Sequence, residues 1–194
     1  MTRLYLVRHG ETVFNALNKR QGWCDSPLTN KGIAQAKILS RYFRNKGVKW
    51  DHAYCSTSER TEDTLRLITR GDMPYERLKG LKEMNFGFRE AEENVELPLE
   101  EFKVCFKECG GETTDETLER FDKTVRSIMK KDKHDRVLIV AHGGAIMNFM
   151  HYYCEKNGEE VPNFLSNCNC IVYDFDGETF KVVEVIRPDF SELD

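Results

Sequence analysis

The sequence lacks any apolar run long enough to cross a bilayer. Its longest uninterrupted apolar run covers residues 137–141, whereas a membrane-spanning helix needs about 20 such residues. The N-terminal apolar residues 4–7 lead directly into Arg8-His9-Gly10, which is not the pattern of a signal peptide. We therefore expect a cytoplasmic protein with no membrane partner.

The sequence also lacks an excess of positive charge. Its 29 lysine and arginine residues stand against 33 aspartate and glutamate residues, which gives a net charge of −4. Sequence-independent binding of nucleic acid needs a basic face that releases counterions from phosphates, so nucleic acid is not an expected partner. A few focused arginines can still form a positive pocket for a small anion in an acidic protein.

Cysteines arranged for a metal or for disulfides are missing as well. The seven cysteines are an odd number, and a chain of this length can build a core without disulfides. Cys105 and Cys109 are four positions apart, Cys168 and Cys170 two apart, and neither pair has the spacing of a zinc knuckle. We expect reduced thiols, no metal and no cofactor.

Predicted strands and helices alternate along the chain. Apolar segments predict strands over 4–7, 51–55, 75–78 and 136–141, and periodic patterns predict helices over 29–47, 58–69, from 113 onward, and over 145–153. Asp176-Gly177 predicts a hairpin between final strands at 170–175 and 180–186. The alternation is typical of a three-layer α/β/α sandwich, with a mostly parallel central sheet and an antiparallel strand near the C-terminus. We expect one domain over residues 1–194.

One acidic, weakly periodic segment interrupts this pattern. Residues 86–112 predict a small lid insertion with one short helix over 99–108, ended by Gly110-Gly111. Its glutamates favour a helix face that is exposed to solvent. If some of them lined the mouth of a pocket, they would favour phosphate esters in which the rest of the molecule is neutral or cationic. They are Glu90, Glu92, Glu93, Glu96, Glu100 and Glu101.

Two predicted strands end in the same dipeptide. His9-Gly10 follows the first strand and His142-Gly143 follows the strand over 136–141, and ligands bind where the strands of an open α/β sheet end. Arg8 and Arg60 would lie at the same edge, and their forked donors match a tetrahedral phosphate. A solvated Arg60 paired with Glu59 or Asp63 is the alternative.

These residues resemble a known family. Arg8-His9-Gly10-Glu11-Thr12, Asn15, the stretch 21–29 with Gly32, and His142-Gly143 are together similar to the histidine phosphatase superfamily, in its phosphoglycerate mutase-like branch. The resemblance covers almost the whole chain. It implies a metal-free phosphoryl transfer through a phosphohistidine, with a small phosphorylated substrate.

The resemblance also implies roles for single positions. His9 corresponds to the nucleophile, and Glu83 to the proton donor for the leaving oxygen. Arg8, Arg60 and a cationic His142 would hold the phosphate oxygens. The implied substrate contacts are Asn15, Gln21, Gly22 and Gly143.

The sequence departs from the family at two places near these residues. Ser56-Thr57-Ser58-Glu59 replaces the usual Ser-Pro-Leu before the second arginine, so the support of Arg60 differs. Glu90-Ala91 replaces the usual Glu-Gly pair, which puts lid contacts to the substrate in question.

Three functions compete. The short lid favours a phosphomonoester hydrolase, because water can reach the phosphohistidine. A cofactor-dependent phosphoglycerate mutase-type transfer and a non-catalytic phospholigand-binding protein are the alternatives. A cysteine phosphatase is disfavoured, since only four residues separate Cys55 from Arg60, where that loop needs five. The physiological substrate and the oligomeric state stay open.

Overall fold

The described part of the chain is organised by one six-stranded sheet. The computed structural model describes residues 1–131, 133–163 and 165–193. The strand order is β3-β2-β4-β1-β5-β6, and β1 to β4 run parallel. The strands are β1 (Thr2–Arg8), β2 (His52–Ser56), β3 (Glu76–Leu78), β4 (Arg136–Ala141), β5 (Cys170–Phe175) and β6 (Phe180–Ile186).

Within the described ranges, six α-helices accompany the sheet. Three short 3₁₀ helices lie in connecting segments, at Lys79–Leu81, Gly87–Arg89 and Ser191–Leu193. The predicted capping of α5 is confirmed, because Thr113 and Glu116 form a reciprocal capping box. The α-helices are α1 (Val13–Ala16), α2 (Asn30–Asn45), α3 (Glu59–Thr69), α4 (Leu99–Phe102), α5 (Thr114–Met129) and α6 (Gly143–Asn157).

Two hydrophobic cores cover the two faces of the sheet. Successive side chains of a strand point to opposite faces, so Leu4 and Leu6 of β1 pack with α5 and α6. Tyr5 and Val7 of the same strand pack with α2 and α3. The predicted three-layer α/β/α sandwich is confirmed.

The C-terminal hairpin gives the sheet its mixed character. β5 pairs antiparallel with both β1 and β6, so β5 is the strand that runs against the others. The hairpin predicted from Asp176-Gly177 is confirmed, and Gly177 has a positive φ of 105°, which glycine adopts without steric cost.

The acidic segment 86–112 contains less helix than its sequence predicts. The α-helix ends at Phe102 instead of 108, and turns follow it. These turns bring the fully buried Phe106 between Phe86 and Phe102, with ring centroids 4.8 and 5.4 Å away. A small aromatic cluster therefore replaces the predicted last helical turns. That the segment acts as a lid stays a prediction.

Two kinds of feature are absent from the described residues. No helix among them is both long and apolar enough to span a membrane. They also contain no group of three or more histidine, cysteine, aspartate or glutamate side chains placed to hold a metal ion.

The aromatic centre of the α5–α6 core yields a stability prediction. Phe149 is fully buried, and its ring lies 5.0 to 5.6 Å from those of Phe121, Tyr173 and Phe180. Phe149→Ala should lower the free energy of unfolding by about 3–5 kcal/mol, through lost burial and a residual cavity. Phe88→Ala is the control, since Phe88 is 91% exposed, and should change it by less than about 0.5 kcal/mol. Urea unfolding measures the free energy of unfolding of both variants. Equal losses of that free energy in the two variants would contradict the assignment of the core.

Candidate active site

The two histidines meet at the carboxyl edge of the parallel strands. Arg8, the last residue of β1, pairs with Ala141, the last residue of β4, so His9 and His142 leave the sheet side by side. Their ring centroids are 5.4 Å apart, and the His9 backbone N–H donates to the Ala141 carbonyl at 3.1 Å. The predicted convergence of the two His-Gly dipeptides is confirmed.

His9 is held as a neutral imidazole with one ring nitrogen facing Arg60. Its Nδ1 lies 2.8 Å from the Gly10 carbonyl oxygen, which can only accept, so the proton resides on Nδ1. Nε2 then carries the lone pair and accepts from Arg60 Nε at 3.3 Å. Burial, followed by the charges of Arg60 and Arg8, holds the pKa of His9 well below its usual range. This form has the free electron pair that a nucleophile needs.

Arg60 is a fully buried cation enclosed by a loop. Its Nη1 donates to the Cys24 carbonyl (2.9 Å) and to Asp25 Oδ1 (2.8 Å), and its Nη2 donates to the carbonyls of Gly22 (2.9 Å) and Gln21 (3.3 Å). A solvated Arg60 paired with Glu59 or Asp63 is therefore wrong. Sequence reasoning missed Asp25 as the ion-pair partner, because 35 positions separate it from Arg60.

His142 is neutral, so the expected cation at this position is wrong for this structure. Its Nδ1 lies 2.9 Å from Arg60 Nη2, and an arginine can only donate. Its Nε2 therefore bears the proton and faces Ser56 Oγ at 2.7 Å. Burial, followed by the charge of Arg60, holds the pKa of His142 well below its usual range. Ser56, in the stretch that departs from the family, thus orients this ring.

Arg8 and Gly143 lie against each other at the start of α6. Arg8 Nη1 donates to the Leu165 carbonyl at 2.6 Å. A Cβ at position 143 would approach the Arg8 guanidinium to 3.1–3.2 Å, which is tighter than ordinary packing. Glycine at this position lets the arginine lie over the N-terminus of α6, where backbone N–H groups favour anions.

Glu83 faces the same helix N-terminus. Its Oε2 accepts from the Gly144 N–H (2.8 Å), and its Oε1 accepts from the N–H groups of Ala145 (2.7 Å) and Met84 (2.9 Å). The N-cap residue His142 makes no side-chain cap, so Glu83 takes over that function. The structure brings Glu83 into the pocket that His9 and Arg8 line.

The predicted substrate contacts divide into two groups. Asn15 and Gln21 line the pocket with His9: Asn15 Oδ1 accepts from Asn167 Nδ2 (3.2 Å), and Gln21 Oε1 accepts from Thr12 Oγ1 (2.6 Å). Gly22 is buried beneath them, contacts Arg60 through its carbonyl and does not line the pocket.

Glu90 anchors the loop that encloses Arg60. Its carboxylate accepts from the backbone N–H groups of Gly22 (2.9 Å), Trp23 (2.7 Å), Cys24 (3.3 Å) and Phe86 (3.1 Å). The expectation of a solvated face holds for the other five glutamates of the segment, which are exposed. It is wrong for Glu90, because four backbone donors converge on its carboxylate.

The pocket has a volume of about 720 Å³. Arg8, His9, Glu83 and Gly144 form its reactive end. Its outer wall comes from α4, α5, α6 and the segment 86–112. It mixes apolar side chains, such as Leu99, Phe102 and Met147, with polar and charged ones, such as Lys103, Asp115 and His151. Arg60 and His142 are fully buried and do not line the pocket, and Arg60 contacts His9 from behind it.

The buried histidines predict a loss of stability in acid. An ordinary histidine has a pKa of about 6.5, so below that pH the unfolded chain binds a proton at His9 that the folded chain rejects. The free energy of unfolding should fall as pH drops from about 6.5 to 5, by up to about 1.4 kcal/mol per pH unit for each such histidine.

His9→Gln should make the fall in the free energy of unfolding between pH 6.5 and 5 less steep. Urea unfolding of wild type and variant at a series of pH values measures the difference. Above pH 8, where His9 is neutral in both states, the two proteins should show parallel pH dependence. Equal slopes between pH 6.5 and 5 would contradict the depressed pKa of His9.

Comparisons with known proteins agree with this geometry. The sequence profile described as histidine phosphatase superfamily (branch 1) matches residues 4–187. The adenosylcobalamin/alpha-ribazole phosphatase of Salmonella typhimurium is 36% identical over 154 residues, which is 74% of this chain and 75% of that protein.

Two solved structures share the fold closely. Bacillus stearothermophilus YhfR superposes with a TM-score of 0.79 at 28% identity, covering 94% of this chain and 95% of its own. The phosphoglycerate mutase from Bacillus anthracis gives a TM-score of 0.81 at 25% identity, covering 98% of this chain and 94% of its own. The paired histidines, the buried arginine and the family match lead to one conclusion: the chain belongs to branch 1 of the histidine phosphatase superfamily.

Proposed function

We propose that this protein hydrolyses phosphomonoesters of small metabolites through a phosphohistidine at His9. The observation that carries the proposal is the neutral His9, whose Nε2 lone pair faces Arg60 at 3.3 Å and whose proton is fixed on Nδ1 by the Gly10 carbonyl. Two guanidiniums and a carboxylate surround that ring, which is the donor and acceptor set that phosphoryl transfer needs.

The first step transfers the phosphoryl group to the enzyme. The bond between phosphorus and the ester oxygen breaks, a bond between phosphorus and His9 Nε2 forms, and Glu83 gives a proton to the leaving alkoxide. Arg8, which lines the pocket, stabilises the charge on the non-bridging oxygens, and the buried charge of Arg60 adds to this through space.

The second step returns the enzyme to its starting state. Water attacks the phosphohistidine, the N–P bond breaks, and Glu83 accepts the proton that the water releases. Inorganic phosphate and the free alcohol are the products, so protons and charges balance over the cycle without any metal ion.

The outer pocket supports a substrate class. Apolar and aromatic side chains, including Phe102, Met147 and Tyr152, share its wall with polar ones, while the cations Lys19, Arg20 and Lys103 lie with the anions Asp115 and Glu155. Such a wall suits an ester whose alcohol portion is bulky and carries little net charge. The Salmonella relative is named as a phosphatase of adenosylcobalamin and alpha-ribazole, which supports hydrolysis as the reaction.

Phosphoenzyme trapping tests the nucleophile. Wild type should hydrolyse p-nitrophenyl phosphate and form an acid-labile phosphoenzyme after a rapid quench. His9→Ala should lose both, because no other pocket nitrogen faces Arg60 in the same way. His52→Ala is the matched control, since His52 begins β2 at the opposite edge of the sheet, and should keep both within about twofold. A normal yield of phosphoenzyme on His9→Ala would refute the assignment.

The same preparation separates hydrolysis from its alternatives. With a phosphoglycerate and a bisphosphoglycerate supplied together, a phosphatase releases inorganic phosphate faster than it interconverts the phosphoglycerates. The reverse order would indicate a mutase. Absence of turnover across a panel of phosphomonoesters, with binding retained, would indicate a phospholigand-binding protein.

Glu90 is a positioning residue under this proposal. Glu90→Gln faces four backbone N–H donors with one acceptor oxygen instead of two, so the loop that encloses Arg60 should shift. We expect kcat to fall about ten- to hundredfold, with the pH dependence of kcat unchanged, because the groups that move protons stay in place. Glu93→Gln, at an exposed position of the same segment, should stay near wild type. Equal kcat values for both variants would contradict this role.

A further inference from the structure

A second groove lies between α2 and α3, on the face of the sheet opposite to α5 and α6. It has a volume of about 880 Å³, and no residue lines both this groove and the active-site pocket. The phosphatase chemistry proposed above uses none of its side chains, so the groove needs an explanation of its own.

The groove is strongly basic in an acidic protein. Lys37, Arg41 and Arg44 of α2 face Arg66 and Arg70 of α3 and its C-cap, and Asp63 is the one acidic residue in its lining. All five cations are exposed. Within residues 1–131, 133–163 and 165–193, none of the five forms an ion pair. The whole chain has a net charge of −4, so the charge of this cluster is opposite in sign to the net charge of the protein.

Helix stability alone does not account for the cluster. Cations in the last turn of a helix interact favourably with its dipole, which explains Arg44 and Arg66. Lys37 and Arg41 lie further inside α2, which contains no acidic residue. Like charges four residues apart destabilise a helix by about 0.2–0.5 kcal/mol per pair, so these two residues weaken α2 unless an anion lies between the walls.

The lining restricts the chemistry of that anion. Four of the five cations are arginines, whose forked donors match phosphate oxygens. Leu28, Ile33 and Leu67 are half-buried in the same groove and offer an apolar surface to a planar ring. The helical rise places Lys37 and Arg44 about 10 Å apart along α2, which is enough to contact more than one phosphate group.

We propose that this groove binds a nucleotide carrying at least two phosphate groups. Its volume lies within the range of about 300–1,000 Å³ that is typical of small-molecule sites. A stable peptide or protein interface is a different kind of surface, which buries about 800 Å² on each partner. The phosphates lie between Arg41 and Arg66, and the base packs on the aliphatic side chains.

Calorimetry with α,β-methylene-ADP tests the proposal, because the terminal phosphorus of this probe is joined through carbon and the active site cannot release it. The groove variant Arg41→Gln/Arg66→Gln changes one residue on each wall. We expect its affinity for the probe to fall at least about tenfold, since it loses two charge-assisted contacts. Lys123→Gln/Lys130→Gln removes the same charge from exposed positions of α5 and its C-cap and should bind within about twofold of wild type.

Amide chemical shifts locate the bound probe. Shift changes should concentrate on α2 and α3 in wild type and disappear in the groove variant. Without the probe, the melting temperature of the groove variant should be no lower than that of wild type, because a repulsion between like charges is gone. Changes confined to residues 143–145 would put the probe in the active-site pocket and overturn the proposal. Tighter binding of a glutamate-rich peptide than of the probe would overturn the ligand class. Neither result depends on whether the protein is a phosphatase.

Discussion

The burial of the Arg60 guanidinium is the constraint on which the site depends. A charge removed from water must be paired and fully hydrogen-bonded, or its desolvation becomes very costly. Here one partly exposed carboxylate, Asp25, pairs with it, and backbone carbonyls of the loop 21–24 accept most of its other N–H groups. The loop conformation and the position of the cation therefore determine each other. Both histidines then face a fixed positive charge, which, together with burial, keeps them neutral.

A second arginine, which is half-buried, supports the opposite wall of the pocket. Arg120 of α5 pairs with Glu112 at 2.7 Å and donates to the carbonyls of Gly80, Lys82 and Glu83. These contacts fix the backbone of a segment that has little regular structure, and they place the Glu83 carboxylate against the start of α6. The reactive groups thus stand on strand ends and helix termini, while Arg60, Glu90 and Arg120 hold the irregular segments between them.

The parts of the site that follow from strand geometry could be predicted from the sequence. His9 and His142 end two apolar strands, and neighbouring parallel strands bring their carboxyl ends together, so their convergence needed only the correct pairing of β1 with β4. Asp25, Ser56 and Arg120 could not be predicted in this way, because their roles depend on how loops fold over a buried charge. The glutamates of the segment 86–112 illustrate the same limit. Composition treats all six alike, whereas only Glu90 meets four converging backbone donors.

The neutral state of His142 also changes how the charge of a substrate is balanced. Two guanidiniums, Arg8 and Arg60, and the Asp25 carboxylate lie near the site, so one positive charge remains when Glu83 carries the proton that the proposed first step requires. A phosphate dianion in the pocket adds two negative charges beside His142, and a nearby negative charge favours the protonated form of an imidazole. The pKa of His142 is depressed by burial and by Arg60, and an arriving dianion opposes only the effect of Arg60. A proton on His142 Nδ1 would take the place of the hydrogen bond that this nitrogen accepts from Arg60 Nη2 at 2.9 Å, so His142 can become a cation only if these two groups separate.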